Sequence, residues 1–152
     1  MYYADTTNLI VSSAQDIGQV AATYVSTNKI DLQATPVLRD LSIRPMFFRL
    51  IFPEAVAGVG ASIQFDLVSD ADSALGSPTI HSSVLLSVAS GRMAIGKELV
   101  IALPPGQTYE RYLGLQYVVS GATTTAGTVT AILVPSVDST AYFPDGSSIV
   151  AG

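Results

Sequence analysis

The sequence predicts an all-β fold, a β-sandwich or barrel, on three observations. Apolar residues recur at every second position in several windows, the spacing expected when one face of a sheet packs inward. Clusters of Gly, Pro, Asp and Ser break the chain between those windows at the intervals typical of sandwiches and barrels. Helical periodicity is nearly absent.

Taken in order, residues 1–16 form an N-terminal arm, with Tyr2 and Tyr3 set among polar Ser, Thr and Asn residues. Ser13 to Tyr24 carries a weak helical pattern (Ala14, Ile17, Val20, Ala21), but Gly18 and β-branched neighbours disfavour a helix. An extended arm leading into the first strand is the better reading. Met46 to Phe52 is rich in aromatic and branched residues, which suits a strand covered on both sides. Pro53 to Gly60 breaks the chain. In Ile63-Gln-Phe-Asp-Leu67 large apolar side chains alternate cleanly with polar ones, and Asp70 to Pro78 then reads as a long polar loop. Thr79 to Ser83 is a plausible strand edge, and Leu99 to Leu103 is a strand-sized apolar run. Beyond the turn at Pro104-Pro-Gly106, the strand Tyr112 to Val119 would turn Leu113, Leu115, Tyr117 and Val119 inward. After Ser120-Gly121, the strand Gly127 to Val134 would turn in Val129, Ala131 and Leu133. Residues 17–134 thus make one sandwich domain, followed by a tail, 135–152, that carries Tyr142 and Phe143. Aromatic residues in both terminal segments suggest arms that order on a partner.

Composition narrows the function. Only 12% of the 152 residues are charged, about half the share of an ordinary soluble domain, while 49% are hydrophobic. The apolar runs are strand-sized, so no membrane span is expected. Met1 to Asp5 lacks the basic start and hydrophobic block of a secretory signal. So little charge implies surface hidden by an oligomer or a docked assembly. A net charge of −5, with seven cationic residues scattered singly, argues against nucleic acid as a partner. The chain has no cysteine, which removes disulfides, thiolate metal sites and thiol nucleophiles together.

Catalytic signals are missing. The one histidine, His81, stands in Thr79-Ile-His-Ser-Ser83 with no nucleophile motif near it, so it reads as a satisfied or solvated side chain. Asp66, Asp70 and Asp72 prompt a test for calcium. Asp70-x-Asp72 supplies two ligands, but Ala74 takes the next ligand position, Leu75 replaces the required glycine, and no glutamate closes the loop. The default reading is a solvated turn, with cation binding left open. Paired carboxylates would have to come from Glu54, Glu98 and Glu110, whose separation in space the sequence does not define. Gly58-Val-Gly60 precedes a strand, so it is a turn and not a phosphate loop. No catalytic residue, metal or cofactor is therefore expected, and the chain reads as a binding protein rather than an enzyme.

Three groups of segments together resemble the cement, or decoration, proteins of tailed phages, in particular the family typified by a Bordetella podovirus. They are Ser13 to Gly18 with Ser26 to Leu32; Leu67 to Asp72 with Gly76 to Pro78; and Leu103 to Gly106 with Arg111 to Val118 and Ala126 to Leu133. Their order and spacing cover most of residues 1–134. The resemblance implies a jelly-roll antiparallel β-sandwich with extended arms and no enzymatic activity. It further implies a virion protein, assembled in the host cytoplasm, that sits on the outer capsid surface. Its partners would be the major capsid protein and further copies of itself in a dimer or trimer. Residues 135–152 extend beyond the family pattern. Tyr2, Tyr3, Tyr142 and Phe143 are the expected gripping residues, because aromatic side chains bring large contact area with few rotamers to freeze. The rival expectations are a receptor- or carbohydrate-binding sandwich of a phage tail or fibre, against which the absence of Trp counts mildly, and a hydrolase built around His81 or a carboxylate pair.

Overall fold

A computed structural model of the chain describes residues 10–32 and 46–134. Among these residues there are nine strands: β1 (Ile10–Asp16), β2 (Thr23–Val25), β3 (Ile30–Asp31), β4 (Phe47–Ala57), β5 (Ser62–Asp70), β6 (Thr79–Ser87), β7 (Glu98–Ala102), β8 (Tyr112–Ser120) and β9 (Ala126–Val134). The described residues contain no α-helix, and a single 3-10 turn follows β6 at Val88–Ser90.

All strand pairs are antiparallel, and they form two sheets. Sheet A runs β1-β9-β4-β7, and sheet B runs β2-β8-β5-β6 with the short β3 also on β8. Setting β3 aside, the eight remaining strands pair from the outside inward: first with last (β1·β9), second with seventh (β2·β8), third with sixth (β4·β7) and fourth with fifth (β5·β6). That is one long hairpin rolled up on itself, which defines a jelly roll. The expected sandwich is therefore present with the expected topology.

Side-chain alternation builds the core. Leu113, Leu115, Tyr117 and Val119 of β8 and Val129, Ala131 and Leu133 of β9 are all buried, as their spacing predicts. Facing them are Phe48, Leu50 and Phe52 of β4 and Ile63, Phe65 and Leu67 of β5. Phe65 meets Phe52 across the two sheets and Tyr117 within its own, both edge to face with centroids 5.9 and 5.8 Å apart. The Tyr117 hydroxyl lies 2.7 Å from Ser12 Oγ of β1, a buried polar tie from sheet B to sheet A.

Three local expectations change. Residues 10–16, placed in the arm from their polar character, are the edge strand β1, and Ala14 lies at φ 46° and is exposed. Pro53 does not end its strand, because β4 continues to Ala57. Pairing with β7 stops at Ile51, and the β9 register shifts between Ile51 and Glu54, so Pro53 sits where a missing N–H is tolerated. The acidic loop is not simply solvated: Asp66 and Asp70 are buried, and only Asp72 is exposed.

Candidate interaction surface

The four strands of sheet A turn their second faces away from the core. Register places Ile10, Ile132, Arg49 and Val100 in one row across β1, β9, β4 and β7. Val134, Phe47 and Ala102 form the row on one side of it, and Thr130, Ile51 and Glu98 the row on the other. The result is an apolar face (Ile10, Phe47, Ile51, Val100, Ile132, Val134) around one ion pair. Arg49 donates from Nε and Nη2 to the two Glu98 carboxylate oxygens at 2.7 and 2.8 Å. Arg49 and Glu98 are diagonal neighbours on β4 and β7, which brings a long side chain within reach of its partner. The sequence of β4 predicts cover on both sides. Phe48, Leu50 and Phe52 are fully buried, whereas Phe47, Arg49 and Ile51 remain only partly covered among the described residues.

This face has a polarity along the strands. Ile10 starts β1, Phe47 starts β4 and Val134 ends β9, and these three residues lie at the same end of sheet A. Residues 1–9, 33–45 and 135–152 therefore join the sandwich at one end. The aromatic residues expected to grip a partner, Tyr2, Tyr3, Tyr142 and Phe143, lie outside the described residues. The structure fixes the points from which their segments leave.

The opposite end is built of loops. Thr124 N–H donates to Gln19 O, Thr125 N–H to Ala57 O, Val88 N–H to Ala61 O and Val56 N–H to Met93 O, which link the four connections into one surface. Val20, Val59 and Ile95 stand exposed on it, Val59 completely.

His81 occupies a different place. Between the pairs Leu67↔Ser82 and Val68↔Ile80 the register shifts, leaving His81 as the extra residue of a bulge. Bulges re-aim side chains. The imidazole Nε2 lies 2.7 Å from Ser69 Oγ, and the ring rests against Tyr109 with centroids 4.5 Å apart. Ser69 Oγ also accepts the Glu110 backbone N–H at 2.9 Å. With one lone pair so occupied, the hydroxyl proton is free to point at a neutral imidazole. Burial lowers the His81 pKa below its ordinary value, with Gln107 and Glu110 opposing the shift. Burial likewise pushes the Tyr109 phenol up to about 12, and its hydroxyl donates to Pro104 O. A serine hydroxyl and an imidazole at this distance could share a proton. Ser69, however, has no exposed surface, so its oxygen cannot meet a substrate in this conformation. The pairing ties β5, β6 and the segment before β8 together.

The carboxylates are similarly occupied. Asp66 accepts hydrogen bonds from Gln64 Nε2 and Ser83 Oγ. Asp70 accepts the backbone N–H groups of Asp72 and Ser77, which hold its carboxyl below the usual range. Asp72 in turn accepts the Ala74 N–H. These bonds fold the 71–78 loop over sheet B and place Leu75 against Gly114, where a larger residue would not fit. No three acidic or histidine side chains converge on a metal position among the described residues. Glu110 accepts the Thr79 hydroxyl, and Glu54 is exposed. No helix among the described residues is long and apolar enough to cross a membrane.

An antiparallel jelly roll with an apolar outer sheet face defines a β-sandwich of the kind found in viral shells and lectins. The Bbp16 family pattern, from a Bordetella phage, matches residues 11–133, and the chain belongs to the Bbp16 family. No curated protein matches. Among solved structures, the crystal structure of PirA aligns with a TM-score of 0.40 at 10% identity, covering 88% of this chain and 100% of that one. That likeness is too distant to carry an argument.

Proposed function

We propose that this chain is a non-enzymatic virion protein that binds the outside of an icosahedral phage shell and strengthens contacts between major capsid protein subunits. The observation that carries this reading is the outer face of sheet A: six apolar side chains around one neutralised ion pair, with three chain segments joining at its end. Membership of a phage protein family and the jelly-roll topology support it. The mechanism is mechanical. A subunit lying across neighbouring capsid subunits adds its own buried contacts, so the shell opens only when those contacts break too. Stable specific interfaces bury about 1,200–2,000 Å² each. Repetition over a lattice multiplies modest affinities. The buried position of Ser69 favours this reading over a hydrolase centred on His81.

Quantifying the proteins of purified virions tests it. The expected result is this chain at a fixed ratio to the major capsid protein. Its absence from virions, or its presence in only a few copies at the tail, would refute the reading. Removing residues 1–8 is expected to weaken binding to assembled shells in a sedimentation assay; unchanged binding would dismiss the arm.

A further inference from the structure

The connection from β7 to β8 makes no backbone-to-backbone hydrogen bond between Pro104 and Glu110 among the described residues. Two such bonds delimit it. Leu103 N–H donates to Met46 O on one side, and Arg111 O accepts the Leu32 N–H on the other. Between those points the chain is held to the sheets through side chains. Glu110 N–H donates to Ser69 Oγ at 2.9 Å, and the Glu110 carboxylate accepts the Thr79 hydroxyl at 2.9 Å. The Gln107 side chain reaches the His81 ring, and the buried Tyr109 ring rests against it. The Tyr109 hydroxyl bonds only Pro104 O, within the connection itself. Every polar hold on the sheets therefore ends on Ser69, Thr79 or His81.

We propose that His81 is an acid-sensitive latch, whose protonation releases residues 104–110 from sheet B while both sheets stay folded. This does not depend on the shell-binding reading. The balance of donors and acceptors at Ser69 carries it. Its hydroxyl is wholly buried and meets two partners among the described residues, the Glu110 N–H and His81 Nε2. It accepts from the first, so its own proton goes to the second, which must be an unprotonated nitrogen. A protonated ring carries N–H on both nitrogens and turns a second donor on the same oxygen. The serine proton then has no acceptor unless the contact opens to water. The groups facing the ring divide. From the connection, Gln107 and Glu110 favour the cation. From β5, Ser69 is neutral, and the Asp70 carboxylate is taken up by the Asp72 and Ser77 N–H groups. From β6, Thr79 is neutral. Burial outweighs Gln107 and Glu110 and disfavours the charged ring. Opening hydrates the ring, so acid favours the open form, setting in below the ordinary histidine value of about 6.5. The sheets are spared because His81 is the extra residue of the bulge and takes no place in the β5·β6 register.

The test uses the full chain. It has a single histidine, so the ring gives one unambiguous titration by NMR. Hydrogen exchange of backbone amides is followed in the same sample at pH 7.5 and pH 5. Protection factors, which remove the intrinsic dependence of exchange on pH, are then compared. As the ring takes up its proton, protection of the Glu110 amide is expected to fall about threefold or more. Protection of Phe65, in the middle of β5, should stay constant. In His81→Gln the side-chain carbonyl still accepts the Ser69 proton but does not titrate, so Glu110 should be equally protected at both pH values. Should that variant not fold, the comparison of Glu110 with Phe65 in the unaltered chain still decides. Glu110 protection that holds or rises as the ring protonates overturns the proposal, because His81 would then pair with the Glu110 carboxylate and tighten the connection. So does an equal loss at Phe65, which is global unfolding, or the same loss at Glu110 in His81→Gln.

Discussion

Single residues decide how the sandwich holds together and how it responds to pH. Burial lowers the His81 pKa, so the unfolded chain binds this proton more readily than the folded one. Stability from this group is complete above the unfolded pKa of about 6.5 and is lost as pH falls towards the folded value. Chemical denaturation from pH 7.5 to 5 should show that loss in the parent protein, and less of it in His81→Gln. The Ser12–Tyr117 tie makes a second, asymmetric prediction. Ser12 also donates to Gln15, so Tyr117→Phe leaves no orphan and should cost about 1 kcal/mol. Ser12→Ala strands a buried phenol and should cost more, about 1–3 kcal/mol. Equal losses in urea denaturation would contradict this. At Gly127, φ is 132° and an added Cβ would lie 2.8 Å from Val56, so Gly127→Ala should destabilise strongly. None of these roles was legible beforehand. His81 could be read as a satisfied histidine, but its partners Ser69 and Tyr109 meet only after β5, β6 and the segment before β8 are assembled.

At the level of elements, alternation made most strands readable. β5, β8 and β9 carry their inward residues at the predicted positions because one face of each is packed and each register is pinned by burial. β1 was hidden by its polar residues: Ser12 is buried through hydrogen bonds and not through hydrophobicity, and Ser13 and Ala14 are exposed. β4 was cut short at Pro53 because tolerance of proline depends on which neighbour has already ended, a non-local fact. The same strand gave the most useful hint, since its apolar residues at both parities anticipated a second face in need of cover. Two predictions belong here. The Arg49–Glu98 pair is part-exposed, so Glu98→Gln should cost less than about 1 kcal/mol, with the difference shrinking in high salt. Val100→Asp, at an exposed position of the same face, should leave the melting temperature nearly unchanged yet weaken shell binding at least tenfold. Normal binding by that variant would remove sheet A from the interface.

For the whole molecule, the class of fold followed from periodicity and turn spacing, but the jelly-roll pairing did not. Which strand lies beside which is decided by contacts between the two ends of the chain, as in β1·β9, and no local pattern encodes that. The resemblance carried by the segments from Ser13 to Leu133 supplied the topology instead, and the match to the Bbp16 family spans the same stretch. The scarcity of charge pointed to covered surface without saying where. Among the described residues, part-exposed apolar side chains gather on the outer face of sheet A, and Val20, Val59 and Ile95 stand exposed at the loop end.

Adding the purified chain to assembled shells that lack it, and measuring how much sediments with them, tests the central claim most directly. Binding should saturate at a fixed number of copies per major capsid subunit and raise the temperature at which the shells break open. Shells that sediment bare, or break at the same temperature with the chain bound, would contradict it.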